Sequence, residues 1–339
     1  MINNKLLTGT LAIILIAGIG TPVFADNGID DGASPQLASP QIVPVVNVDQ
    51  IILSSGKQIG IYEGIVETDS GQVFSATLSG FNIDAVPSAK MTLISADGQG
   101  PPGGPGTAAP FSFNTGVFPN SFVSADGLYW DTITNDVTAF VSPGDITATV
   151  VQDSSVTNDC LVHQAIIFED GTLGALGGYA AAGVGLRNTG SGIITIAGIP
   201  ASDVPVKALL YWNILNPTTP SNTITFDANP VVGTLIGTDG DPCWGQTTTW
   251  GYRADVTSLI SGNGNGAHSI TLPSVGLREG ASLVIIHDSK GPVGGELLPI
   301  DNTVLLLAGL QTSSIWMIPT LAGLAGSGFY LIKFRTNKD

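Results

Sequence analysis

Cysteine, histidine and positive charge are scarce in this sequence of 339 residues. It has 2 cysteines, 3 histidines and 11 lysines and arginines, against 27 aspartates and glutamates. The formal net charge of −16 argues against nucleic-acid binding, because contacts to phosphate need a clustered basic surface. The histidines and cysteines form no His-x-x-x-His, His-Glu-x-x-His or Cys-x-x-Cys pattern, so a zinc site would have to be assembled from distant loops.

Short catalytic motifs are also lacking. No Gly-x-Ser-x-Gly elbow and no phosphate-binding Gly-x-x-x-x-Gly-Lys motif is present. A carboxylate pair for glycoside hydrolysis could be drawn from the glutamates and the many aspartates, but any choice would be arbitrary. Since no nucleophile, base or metal cluster follows from motif spacing, the sequence predicts a protein that is not an enzyme, without a required cofactor.

Apolar residues and chain-turning residues are abundant. The chain is 43% hydrophobic and contains 44 glycines and 21 prolines, a composition too apolar for a disordered protein. Short β-branched or aromatic runs such as Phe74–Leu78, Ala208–Trp212 and Ser282–Ile286 are separated by clusters of Gly, Pro, Asn and Asp. This pattern predicts an all-β protein of antiparallel β-sandwiches, either jelly-roll or immunoglobulin-like.

The N-terminus has the pattern of a secretory signal. Lys5 is followed by an apolar run and then by small residues at Val23 and Ala25, which predicts cleavage after Ala25. The alternative is an uncleaved N-terminal anchor. In both cases we expect the body of the protein to leave the cytoplasm.

A second apolar segment lies near the C-terminus. Residues 315–334 are about long enough to cross a bilayer as a helix, with Trp316 at one edge and Lys333, Arg335 and Lys338 at the other. The sequence thus predicts a transmembrane helix preceded by a juxtamembrane segment, 301–314, and followed by a cytoplasmic tail, 335–339. The alternative is a buried C-terminal helix of a soluble domain.

The C-terminal pattern of Trp-x-x-Pro, an apolar helix and a basic tail resembles the sorting and anchoring tails of prokaryotic surface proteins, archaeal ones above all. The segment Asp301–Gly309 has counterparts upstream of such tails. The resemblance implies a protein on the outer face of the cell membrane, held there through its C-terminal helix.

The body of the chain contains an internal repeat. Three blocks recur at an offset of 118 or 119 residues, and chance matches would not keep one offset over such a distance. The paired blocks are Gly80–Pro87 with Gly198–Pro205, Asn135–Ser142 with Ala254–Ser261, and Ile166–Glu169 with Ile285–Asp288. We therefore predict two tandem β-sandwiches, copy 1 at 60–170 and copy 2 at 171–300, after a signal peptide at 1–25 and a linker with a first strand region at 26–59.

Copy 2 resembles an exported bacterial and archaeal domain of unassigned activity, found in large secreted and surface-attached proteins. The matching blocks are Ala180–Arg187, Ile194–Pro200, Ala208–Trp212, Asp241–Trp244, Tyr252–Thr257 and Glu279–Val284. Copy 1 lacks the Leu-Tyr-Trp and Asp-Pro-Cys-Trp blocks. The resemblance implies a location and a structural role, and it brings no catalytic residues.

Three pairs of residues are candidates for bonding or binding. Cys160 and Cys243 could form one disulfide that ties the copies together, or remain two separate thiols. Asp239 and Asp241 lie in the loop that best suits Ca²⁺, although it lacks EF-hand spacing. Trp244 and Trp250 lie in a polar loop where exposed rings could stack on sugars.

Three acidic positions recur in both copies, and their oxygen atoms could hold Ca²⁺. The alternative is a local role, because an aspartate before Val-Pro or Val-Thr commonly caps a turn with its own side chain. The recurring pairs are Asp84 with Asp203, Asp136 with Asp255, and Glu169 with Asp288.

Taken together, the sequence predicts a membrane-anchored extracellular structural or adhesion protein that contacts other surface proteins or glycans. The alternative is a carbohydrate- or calcium-binding surface module.

Overall fold

The computed structural model describes residues 41–42, 46–68, 73–85, 87–96, 110–119, 121–127, 129–153, 161–240 and 248–289. These residues form an all-β protein made of four sheets, which confirms the predicted fold class for this part of the chain. The only helical elements described are two 3₁₀ turns, Thr138–Phe140 and Thr257–Leu259. Within the described ranges no helix has the length and apolarity needed to cross a membrane. The predicted signal peptide and C-terminal transmembrane helix lie outside these ranges.

The described residues of the first half of the body form ten strands. They are β1 (Gln41–Ile42), β2 (Val46–Ile52), β3 (Gln58–Thr68), β4 (Val73–Ser79), β5 (Pro87–Ala96), β6 (Phe111–Phe113), β7 (Gly116–Phe118), β8 (Trp130–Asp136), β9 (Thr147–Asp153) and β10 (Leu161–Thr172). One sheet has the order β2-β3-β10-β5-β8, and the other has the order β1-β4-β9-β6-β7. All pairings are antiparallel except that of β1 with β4.

In the second half, the part of the chain that the structure describes forms nine strands. They are β11 (Gly178–Gly185), β12 (Ser191–Ile196), β13 (Val204–Leu215), β14 (Thr223–Phe226), β15 (Asn229–Val232), β16 (Thr234–Asp239), β17 (Thr249–Asp255), β18 (Gly266–Thr271) and β19 (Leu277–Asp288). Its two sheets have the orders β11-β19-β13-β17-β16 and β12-β18-β14-β15.

The two halves share one strand order. The run β3-β10-β5-β8 corresponds to β11-β19-β13-β17, and β4-β9-β6-β7 corresponds to β12-β18-β14-β15. In each half eight strands pass between two sheets and the last strand pairs beside the first, which is the order of a jelly roll. Three strands lie outside this shared order of eight. They are β1 and β2, at sheet edges of the first half, and β16, at a sheet edge of the second.

Each half has its own apolar core between its two sheets. The first core is rich in phenylalanine, with Phe111 stacked on Phe118 at a centroid distance of 4.5 Å. The second is mostly aliphatic and contains the stacked pair Trp212 and Tyr252, at 5.6 Å. These cores cover one face of the sheet that contains β10 and one face of the sheet that contains β19, which we call the inner sheets.

A third apolar core lies between the two inner sheets. It joins side chains from both halves, namely Leu53, Ile59, Ile61, Ile65, Ile94, Ala96, Trp130, Val162, Ala165 and Ile167 with Tyr179, Leu209, Tyr211, Val284 and Ile286. The inner sheets are therefore buried on both faces. This explains why β10 and β19 are buried along nearly their whole length, without the alternation of a sheet that has one face in water.

Candidate functional site

The residues predicted to bind sugars and calcium are only partly described. Trp250 is half-buried against the second core, and its indole N–H donates to the carbonyl of Asn216 at 2.9 Å. Asp239 accepts from the backbone N–H groups of Glu67, at 2.9 Å, and Gly240, at 2.8 Å. Trp244 and Asp241 lie outside the described residues. Among the residues that are described, no three His, Cys, Asp or Glu side chains form a group able to hold a metal.

Cys160 and Cys243 both lie outside the described residues, so their pairing remains a prediction. The described residues nearest to them converge. Leu161 pairs with Thr68 on β3, and the adjacent Glu67 donates its N–H to Asp239 on β16. The chain therefore leaves the segment that contains Cys160 and enters the segment that contains Cys243 at neighbouring strand ends.

One pair of the recurring acids caps equivalent turns in the two halves. Asp136 Oδ1 accepts from the N–H of Thr138 at 2.9 Å, and Asp255 Oδ1 accepts from the N–H of Thr257 at 3.0 Å. Hydrogen bonding to Thr138 lowers the pKa of Asp136. These contacts match the turn-capping interpretation of the Asp-Val-Thr blocks.

The other recurring acids have different partners in the two halves. Asp203 Oδ2 lies 2.7 Å from Nδ1 of His287, whereas Asp84 accepts from the hydroxyl of Thr172 at 2.7 Å. Asp288 joins the halves by accepting from the N–H and the hydroxyl of Ser54, at 2.6 and 2.5 Å.

Glu169 anchors a charged cluster at one end of the interface between the halves. Its carboxylate lies 3.0 Å from Lys57 Nζ and 3.3 Å from Lys90 Nζ, and it accepts from the backbone N–H of Tyr179 at 3.2 Å. Lys90 Nζ also lies 4.0 Å from the centre of the Tyr179 ring and donates to the Tyr179 carbonyl at 2.8 Å. Burial lowers the pKa of Lys90, and the charge of Glu169 opposes this shift.

A β-bulge carries a polar side chain into the middle of the interface. The pairing of β10 shifts between His163 and Ala165, so the extra residue Gln164 and its neighbour Ala165 both face the second half. The Gln164 amide donates to the carbonyls of Trp212, at 2.8 Å, and Tyr252, at 3.3 Å. This contact fixes the register of one inner sheet against the other.

Glu63, Tyr211 and Arg253 form a second polar cluster across the interface. Glu63 Oε1 accepts from the Tyr211 hydroxyl at 2.7 Å and from Arg253 Nη1 at 2.9 Å. Burial raises the pKa of Glu63, and the positive charge of Arg253 opposes this shift. Burial likewise raises the pKa of Tyr211 well above its usual value, so the phenol remains a hydrogen-bond donor.

His163 is buried in the first half next to the bulge. Its ring stacks on Phe74 with the centroids 4.3 Å apart, and neither ring nitrogen has a hydrogen-bond partner among the described residues. Burial lowers the pKa of His163 from 6.5 to about 3, so the imidazole is neutral at physiological pH.

We expect His163→Phe to protect the protein against acid. The unfolded chain binds a proton at His163 near pH 6.5 and the folded chain only near pH 3, so this residue alone should lower stability by about 1.4 kcal/mol per pH unit as the pH falls through that window. Urea unfolding at a series of pH values should show the wild type losing stability relative to His163→Phe across the window. The phenyl ring is larger than the imidazole and could strain the core, so His163→Leu serves as a second variant. It should show the same protection against acid as His163→Phe.

His268 provides the matched control. It also stacks on a phenylalanine, Phe226, but its Nδ1 lies 2.8 Å from Asp227 Oδ2 and its Nε2 lies 3.1 Å from the Gly264 carbonyl. His268→Phe removes both bonds and should lower stability at neutral pH. Equal acid sensitivity of the wild type and His163→Phe would contradict the prediction.

The comparisons with known proteins identify no family. No family model and no curated protein matches the chain. Among solved structures, it is similar to the β-porphyranase BpGH86A from Bacteroides plebeius, with 10% identity and a TM-score of 0.25 over 71% of this chain and 37% of that one. It is also similar to HutD from Pseudomonas fluorescens, with 7% identity and a TM-score of 0.24 over 70% and 92% of the two chains. Dimeric latent PorU from Porphyromonas gingivalis has 12% identity and a TM-score of 0.27, over 73% and 22%. Similarities at this level carry no argument about function.

Proposed function

We propose that this chain is a membrane-anchored extracellular protein of a prokaryotic cell surface, with a structural or adhesive role and no catalytic step of its own. The observation that carries this proposal is the third apolar core, which joins two sandwiches into one body. A shared core of this kind makes the pair resist bending and transmits force from one end to the other without a hinge.

The sequence supports the location in this proposal. An apolar segment follows Lys5 near the N-terminus, and a second apolar segment is followed by Lys333, Arg335 and Lys338. The first pattern favours export, and the second favours a membrane helix with its basic end in the cytoplasm. The net charge of −16 suits an exposed surface that repels its own copies and remains soluble.

Protease treatment of intact cells that produce the full-length chain tests the location. We expect the protein to sediment with membranes, to resist extraction at alkaline pH, and to be lost when protease is added outside the cells. A cytoplasmic protein in the same cells should survive the treatment and serves as the control. Recovery of the intact, unprocessed chain in the soluble fraction of lysed cells would overturn the proposal.

A further inference from the structure

A buried carboxylate lies at one end of the first sandwich. Asp170 is near the end of β10 and is only 2% exposed, and its Oδ1 has no hydrogen-bond partner among the described residues. The backbone of Asn82, in the loop between β4 and β5, bonds to the Asp170 carboxylate. Burial above all, and also the charge of Asp84, raises the pKa of Asp170 to about 7.

Asp84 brings a second carboxylate to the same place. Its Oδ2 accepts from the hydroxyl of Thr172, two residues beyond Asp170 on the same strand, at 2.7 Å. Residues two apart on a strand share a face, so Thr172 holds Asp84 on the side of β10 that carries Asp170. Asp84 is half-buried while Asn82 and Thr172 are exposed, so solvent reaches this end of β10 at Asp84, although Asp170 itself is buried.

No basic side chain in the described part of the chain forms an ion pair with either carboxylate. The nearest lysines along the sheet, Lys57 and Lys90, are bound by Glu169. Glu169 is adjacent to Asp170 in sequence and therefore points to the opposite face of β10, toward the second half. The two carboxylates thus lie at the same end of β10 without an ion-paired basic side chain among the described residues.

The second half has no carboxylate at the position of Asp170. Ala89 and Ala208 are equivalent in the two halves, since each donates its N–H to the threonine hydroxyl of a 3₁₀ turn. Ala89 pairs with Asp170 on β10, whereas Ala208 pairs with Ile285 on β19. The first half therefore has a buried carboxylate where the second half has an apolar side chain.

Neutral oxygen atoms surround the same end of the sandwich. Gln58 pairs in register with Asp170, and its Oε1 accepts from the Gln50 amide at 2.8 Å. The carbonyl of Gly80, next to the loop that holds Asp84, accepts from the same amide. Calcium takes six to eight oxygen ligands from carboxylates, amides, carbonyls and water, whereas zinc prefers nitrogen and sulfur.

We propose that Asp84 and Asp170 are the carboxylate ligands of a Ca²⁺ site at the end of the first sandwich. The ion would bridge the β4–β5 loop to the end of β10. Two carboxylates on a partly open rim suit a weak site, with a Kd of roughly 10⁻⁴–10⁻³ M, as in other extracellular modules. This site is independent of the proposed surface location.

Thermal melting and isothermal titration of the full-length protein with CaCl₂ test the proposal. We expect one Ca²⁺ per chain and a rise in Tm between chelator and about 10 mM Ca²⁺, since an ion that binds only the folded state stabilises it. Asp170→Asn and Asp84→Asn should each abolish the rise. Asp170→Asn should melt at least as high as the wild type in chelator, because it removes a buried charge, and this shows that the variant folds.

Two control variants distinguish this site from calcium binding elsewhere on the acidic surface. Asp239→Asn alters the loop that the sequence favoured for calcium, and Asp203→Asn alters the equivalent acid of the second half; both should keep the Ca²⁺-dependent rise. The proposal is overturned if the wild type shows no response at about 10 mM Ca²⁺. It is also overturned if Asp84→Asn and Asp170→Asn respond like the wild type, or if Asp239→Asn is the variant that loses the response.

Discussion

Trp130→Ala is expected to lower the free energy of unfolding by about 3–5 kcal/mol, the usual cost of deleting a fully buried tryptophan. Trp130 belongs to the first half but its indole is inserted into the second, where its N–H donates to the Ser282 hydroxyl at 2.9 Å. Gly280 and Gly183 leave the space for it, since a Cβ on Gly280 would lie 2.4 Å from the indole carbons. The substitution should therefore weaken both halves at once.

Trp130→Phe and Trp250→Ala are the controls for this result. The phenylalanine keeps most of the apolar contact and loses the hydrogen bond to Ser282, so we expect a cost of about 1–2 kcal/mol. Trp250 is half-buried within the second half, so its removal should cost less than that of Trp130. Urea unfolding measures the change in the free energy of unfolding, and hydrogen exchange shows which strands lose protection. Faster exchange confined to the first half would contradict the role of Trp130 in joining the halves.

The sequence predicted the sheets better than it predicted how they pack. The runs Ala208–Trp212 and Ser282–Ile286 are strands, as their β-branched and aromatic residues indicate. A sandwich with one face in water should show alternating polar residues, and these runs show none. That missing alternation was the available signal that the inner sheets are buried on both faces. It could not reveal which surface covers them, because the contact joins residues that are distant in the sequence, such as Trp130 with Ser282 and Glu63 with Tyr211.

The recurring blocks allowed one local contact to be predicted. The Asp-Val-Thr sequences around Asp136 and Asp255 fix their own turns, because the bonded atoms lie two residues apart. The pair Asp84 and Asp170 could not be found in this way. Their proximity depends on how a loop folds over a strand end, and in the second half the corresponding acid binds His287 instead.

The polar side chains of the interface were also missed by sequence analysis. Glu63 lies between the two apolar stretches of β3, and Gln164 precedes the apolar run of β10. A charged residue inside such a strand predicts a partner on the facing surface, since an unpaired buried carboxylate is costly. The identity of the partners, Tyr211 and Arg253, follows only from the packing of one inner sheet on the other.

Glu63→Ala should destabilise the protein by about 3–5 kcal/mol, which is the usual loss when one member of a buried ion pair is removed. Glu63 is 5% exposed and Tyr211 is fully buried, so the substitution leaves the Tyr211 hydroxyl without its acceptor and Arg253 without its counter-charge. Glu63→Gln keeps an acceptor for Tyr211 and removes only the charge, so we expect it to cost less, about 1–2 kcal/mol. Urea unfolding at neutral pH measures both.

A double-mutant cycle with Tyr211→Phe shows whether these contacts, rather than lost packing, cause the effect. In the wild type, Tyr211→Phe should cost about 1 kcal/mol, because Glu63 loses one donor. In the Glu63→Ala background the hydroxyl is already unpaired, so its removal should cost nothing or restore part of the stability. Additive costs of the two substitutions would contradict a coupled cluster and would indicate that Glu63 acts only by filling space. Coupling would instead show that polar bonds as well as apolar burial hold the two inner sheets in one register.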